Sequence, residues 1–162
     1  MNFDSFMFAF ENVVERNSLI AATVFSRVNI NPLNEDEVIH AFTSALDSYN
    51  KELQISSLRL YPQLGAQLNT LGKDSAKEHI ISGINSLDND THTQLLSLND
   101  LYYKKFGFPC VICVKLSNVQ GILTGIQSRI YNDKDKEIKK GFEEVKKIAE
   151  IRIRSIFQSE LV

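Results

Sequence analysis

The chain has 162 residues, 43% hydrophobic and 23% charged, with a formal net charge of −2 from 18 basic and 20 acidic residues. That length suits a single domain, 1–162, able to bury a core without staples, and the composition excludes a disordered chain. The near balance of charge offers no field for a polyanion, which argues against nucleic acid as a partner.

Two cysteines, Cys110 and Cys113, provide no disulfide framework and point to a reducing compartment. Met1 to Ser5 lack a basic stretch leading into an apolar one, and no apolar run approaches the length of about eighteen residues that a membrane span requires. The final Ser159-Glu160-Leu161-Val162 matches no retention or peroxisomal signal, so the expected compartment is the cytoplasm and no membrane partner is expected.

Apolar residues recur at helical spacing along nearly the whole chain, which predicts an all-α, multi-helix bundle. Phe3, Phe6, Phe10, Val13 and Val14 mark a first helix, and Leu19, Ile20, Val24 and Phe25 a short second one. After the break at Asn31-Pro32-Leu33, Asn34 is placed to cap a third, with Glu37 at N3 and Leu33 and Val38 as a hydrophobic staple. Leu53 to Leu60 forms another short helix that Pro62 stops. Ser75-Ala76-Lys77-Glu78 reads as a second capping box, opening a helix through Ile80, Ile81, Ile84 and Leu87. Leu95, Leu98, Tyr102 and Tyr103 carry the next helix to Phe106, where Gly107 is a natural C′ residue before Pro109. Cys110 to Leu116 is apolar throughout. With no second strand in sight, it reads as a buried extended segment or short helix rather than part of a sheet. Val119, Ile122, Leu123, Ile126 and Ile130 form an amphipathic helix, and the last helix runs from about Lys136 to Phe157.

Few residues stand out chemically. Arg152 shares one stripe of the last helix with Ile138, Phe142, Val145, Ala149 and Ile156. A charge on a core-facing stripe is paired or snorkels to water, so the structural reading is an ion pair and the functional one an anchor for an anionic ligand. Pattern alone favours the ion pair. Glu78 has a structural reading too, as the acid of the Ser75 capping box. His79 is the one histidine beside another candidate; His40 falls on an amphipathic helix and His92 in a polar loop, and no two histidines have metal-ligand spacing. Cys110 and Cys113 have redox spacing without the context of a thioredoxin-like fold, so they read as buried apolar thiols. From the residues alone, the chain is a helical domain with a candidate anion site near Glu78 and Arg152.

A longer pattern runs through the second half. Ser75-Ala76-Lys77-Glu78-His79 is followed by Leu98-Asn99, Tyr102, Lys105-Phe106-Gly107-Phe108-Pro109, Val111-Ile112-Cys113-Val114, Arg129-Ile130, Asn132 and Lys147-Ile148-Ala149-Glu150-Ile151-Arg152. This order resembles the OHCU decarboxylases, the 2-oxo-4-hydroxy-4-carboxy-5-ureidoimidazoline decarboxylases of urate breakdown. Asn17 to Ala21 and Leu60-Tyr61-Pro62-Gln63-Leu64-Gly65 fit the family's first half more loosely.

The resemblance implies an all-α fold, a homodimer, no cofactor and no metal, and a small anionic ureide substrate converted to (S)-allantoin. It implies that Glu78 is the catalytic carboxylate and that Arg152 binds substrate. Pro62, Ser75 and the segment Cys110, Val111, Ile112, Cys113 and Val114 are implied to line the substrate. It leads to the expectation that Glu78 and Arg152 approach one pocket. The departure is Tyr61, which stands where the family has its catalytic histidine; Gln63 and His79 replace the family's aspartate and glutamine. A free phenol titrates near pH 10 and a free imidazole near 6.5, so tyrosine is the poorer proton shuttle at neutral pH. His79 is the residue able to take over. The rival readings are a non-catalytic relative that binds a small ureide or purine-like anion, and a helical interaction protein with a vestigial pocket.

Overall fold

Helices start where the chain offers a short polar side chain to an unpaired backbone N–H. The computed structural model describes residues 1–159, apart from the Leu68 side chain. The described residues hold α1 (Phe3–Phe10), α2 (Ser18–Phe25), α3 (Glu35–Asp47), α4 (Lys51–Leu58), α5 (Lys73–Ser82), α6 (Asn89–Phe106), α7 (Val119–Arg129) and α8 (Lys134–Phe157), and no strand among them. Short 3₁₀ turns lie at Leu68–Thr70 and Val114–Leu116. The all-α expectation holds. Glu160, Leu161 and Val162, read above as carrying no targeting signal, lie outside the described residues.

Several caps follow the sequence closely. Asn34 accepts the Glu37 N–H at 3.0 Å, and Val38 is fully buried one position on. Glu37 does not close a reciprocal box; its carboxylate accepts the Asn29 N–H instead, at 2.8 Å, tying down the loop before the helix. Asn2, Asn50, Asp88 and Asn118 cap α1, α4, α6 and α7 in the same way. Gly107 ends α6 at φ 79°, a left-handed position that glycine occupies without steric cost.

The helix at Ser75 is where the reading needs correction. Gly72, not Ser75, is the N-cap of α5, and the Gly72 carbonyl accepts the Ala76 N–H at 2.9 Å. Ser75 and Glu78 therefore lie inside the helix, and the capping-box explanation of Glu78 falls. Gly83 stops α5 at φ 75°, so Ile84 and Leu87 belong to the connection that follows.

The residues group into two compact units. One comprises Met1–Leu60 with the chain from Val145 onward. In it α2 packs against α1 and α3, and Phe6 stacks on Phe10 at 4.5 Å, with Phe42 and Phe157 beside Phe10. The other comprises Tyr61–Glu144. There α6 packs on α7, and α5 packs on both 3₁₀ turns. Tyr102, Phe106 and Phe108 form its aromatic centre, with ring centroids 4.6 to 6.1 Å apart. The helix α8 gives its first turns to this unit and the remainder to the other.

Candidate functional site

The polarity of α5 is inverted. An amphipathic helix ordinarily turns apolar residues inward. Here Ser75, Glu78 and His79 are buried, at 2%, 8% and 4% exposure, while Ile80 and Ile81 stand 56% and 68% exposed. Ile80 and Ile81 lie in the helix, as their spacing predicts, but face outward. Charged and polar groups are seldom buried unless something pairs with them. The inversion therefore singles this face out as the candidate site.

His79 is held in a defined state. Its Nδ1 lies 2.7 Å from the Ser75 carbonyl oxygen. A carbonyl only accepts, so Nδ1 carries a hydrogen, and in the neutral ring Nε2 then keeps its lone pair. Nε2 is buried and meets no hydrogen-bond partner among the described residues.

Tyr61, 7% exposed, begins the same unit, in a loop fixed at its far end. Asn99 donates through Nδ2 to the Leu64 carbonyl at 2.8 Å. Gly65 follows at φ 74°, where a Cβ would fall 2.6 Å from Leu95 Cδ2. The left-handed backbone conformation favours glycine there, and a side chain would also push Leu95 aside. Pro62 is half-buried beside Tyr61.

The segment Cys110 to Val114 packs against α5 through the turn Val114–Leu116, and it is neither strand nor α-helix, as expected. Cys110, Val111, Cys113 and Val114 are buried and Ile112 half-buried. Two side chains clamp its backbone. Arg129 Nη1 donates to the Val111 carbonyl at 2.6 Å, and Glu144 accepts the Cys113 N–H at 2.8 Å. Arg129 Nε is paired with Glu137 at 2.5 Å, the side chains 5% and 0% exposed, and the Tyr102 hydroxyl donates to the same carboxylate at 3.1 Å. Burial, with Cys110 alongside, holds the Tyr102 phenol far above its ordinary range, so it remains a donor. Burial likewise pushes the Cys110 thiol up to about 12, which makes it an inert apolar group rather than a redox one.

Arg152 belongs to the other unit. Its Nη2 meets Glu15 at 3.0 Å and its Nη1 donates to the Asn12 carbonyl at 2.9 Å, with side-chain exposures of 5% and 1% for the two charges. The ion-pair reading of the apolar stripe is what this geometry shows.

Comparison with known proteins fixes the lineage. The sequence profile of the family described as OHCU decarboxylase matches residues 1–154. This chain belongs to the OHCU decarboxylase family. It is 33% identical to the 2-oxo-4-hydroxy-4-carboxy-5-ureidoimidazoline decarboxylase of Xenopus laevis, over 99% of this chain and 92% of that one. It is 35% identical to the uric acid degradation bifunctional protein of Bacillus sp. TB-90, over 65% of this chain and 21% of that protein. The fold resembles a crystal structure of OHCU decarboxylase in the presence of (S)-allantoin, with a TM-score of 0.75, 23% identity, and coverage of 92% of this chain and 97% of that one.

For an OHCU decarboxylase-family chain, the residues that sequence reasoning missed are the supports. Glu15, Arg129, Glu137 and Glu144 fix Arg152 or the 110–114 backbone. Arg129 stood in the quoted motif without a role, and no local pattern couples it to Glu137. No helix among the described residues is long and apolar enough to cross a membrane.

Proposed function

We propose that this chain decarboxylates OHCU, a small anionic ureide, and yields (S)-allantoin, at a rate held down by Tyr61 in the place of the family's histidine. The observation that supports this best is the buried Ser75, Glu78 and His79 face of α5, with apolar Ile80 and Ile81 left outside. The reaction breaks the bond between C4 and its carboxylate. The released pair enters the neighbouring C5 imine and leaves an enol, and protonation of C5 on one face gives the product. The protein's task is orientation, stabilisation of developing charge and delivery of one proton.

In this reading Glu78 is the catalytic carboxylate, and Tyr61 donates a hydrogen bond to the substrate hydroxyl without serving as a proton shuttle. Pro62, Ser75 and the backbone from Cys110 to Val114 line the substrate. Within that last segment the Val111 carbonyl and the Cys113 N–H are already engaged by Arg129 and Glu144, so their neighbours supply the contacts. The likeness of the 147–152 segment to the family supports Arg152 as a substrate-binding arginine. The chain works as a homodimer in the cytoplasm, without cofactor. Sedimentation as a strict monomer at micromolar concentration would remove the dimer from the account.

The test is to generate OHCU from urate enzymatically and follow (S)-allantoin by circular dichroism, with Glu78→Ala as the inactive control. A second reading, a relative that binds a ureide without turning it over, has one observation in its favour: Arg152 is committed to Glu15 and the Asn12 carbonyl. Binding of (S)-allantoin with no wild-type turnover would decide for it.

A further inference from the structure

We propose that His79 is the proton-transfer group of this site, acting through Nε2 from an imidazole whose Nδ1–H is fixed on the Ser75 carbonyl; this rests on the decarboxylase reading above. Three observations on α5 converge. The ring is buried on the polar face, beside Glu78 in sequence. One nitrogen is committed as a donor to a carbonyl one helical turn earlier, which sets the tautomer without help from a carboxylate. The other is a buried acceptor with no partner among the described residues. An unpaired buried polar atom costs stability, and one retained in a folded protein needs a reason. A ligand that brings a polar hydrogen to Nε2 supplies it. A free phenol holds its proton at neutral pH, so an imidazole is the better-matched group for this work.

The step balances. As the C4–carboxylate bond breaks, its pair forms the C4=C5 bond, and the imine pair moves to the ring nitrogen, which takes one proton from solvent. The enol O–H then gives its proton to Nε2, and the O–H pair becomes the C4=O bond. The C4=C5 pair takes that proton back from the imidazolium at C5. His79 ends as it began, one proton is consumed, and CO₂ and allantoin leave. Delivery from a ring fixed by Nδ1 comes from one face, which makes the product chiral.

The experiment has two arms. In the first, OHCU turnover is compared in wild type, His79→Gln and His79→Gly, each checked for native far-ultraviolet dichroism. His79→Gln lowers the rate by about 10²–10⁴-fold, the usual contribution of a positioned acid–base group. Added imidazole restores part of the activity of His79→Gly, which a merely structural role would not allow. In the second arm, nitrogen-labelled histidine is observed by NMR, with the His79 signals assigned by their loss in His79→Gln. Free His79 is in the Nδ1–H tautomer, and (S)-allantoin shifts its Nε2 resonance but not those of His40 or His92. Wild-type turnover in His79→Gln, an Nε2–H tautomer, or a His79 signal indifferent to (S)-allantoin overturns the proposal. Absence of turnover in every protein sinks the decarboxylase reading separately, and the NMR arm then decides on His79 alone.

Discussion

Replacing Glu137 by glutamine removes one charge from a pair shut away from water. The Arg129 and Glu137 side chains are 5% and 0% exposed and 2.5 Å apart. Breaking such a pair from one side strands the other charge and costs about 3–5 kcal/mol. A chain of this size loses roughly 2–4 °C of melting temperature per kcal/mol, so Glu137→Gln should melt about 6–20 °C below wild type. The double variant Arg129→Met/Glu137→Leu removes both charges and recovers most of that loss. It does not recover all of it, because the Val111 carbonyl then lacks its Arg129 donor, and an unpaired buried carbonyl costs about 1–3 kcal/mol. The assay is thermal unfolding by circular dichroism of wild type, the single variant and the double. A Glu137→Gln loss under about 1 kcal/mol, or a double variant no better than the single, refutes the reasoning.

Other consequences are open to direct measurement. Tyr61→His should raise OHCU turnover, because it introduces a group that exchanges protons near neutral pH. Gly65→Ala should lose about 1–3 kcal/mol in denaturant unfolding, since it forces a side chain into a left-handed position against Leu95; an unchanged midpoint would show the loop yields freely. With the folded-state Cys110 thiol pushed up to about 12 from the ordinary 9, the unfolded chain releases that proton first as pH rises. Cys110 thus contributes a loss of stability that begins near pH 9 and grows toward 12, with no effect below, readable as a falling midpoint in unfolding titrations. Cys110 and Cys113 should resist alkylation until the chain unfolds.

The helices were legible because burial imposes a period on apolar residues. Asn34 and Gly107 were legible because caps are local chemistry, read from one residue and its neighbours. The family motif pointed to Glu78 and Arg152. Local reading failed at α5, where Ser75-Ala76-Lys77-Glu78 has the form of a capping box, yet Gly72 takes the cap and the polar residues lie buried inside the helix. Helical periodicity locates an apolar face without showing that it is the buried one. Ion pairs were illegible for a different reason. Arg152 stood out as a charge on an apolar stripe, but Glu15 lies 137 residues away, and nothing in either neighbourhood names the other. Arg129 and Glu137, eight residues apart across a turn, were equally silent.

The central claim is that this chain turns OHCU over stereospecifically. A protein-free control sets the background rate, and protonation of a free enol equally from both faces leaves no optical activity. The decisive measurement is the dichroism of allantoin formed with wild-type protein, timed against the protein-free decay. The expected signal is that of the (S) form, appearing faster than the protein-free reaction, rising further with Tyr61→His, and disappearing with Glu78→Ala. Optically inactive product formed at the protein-free rate, from a folded wild type, would contradict it.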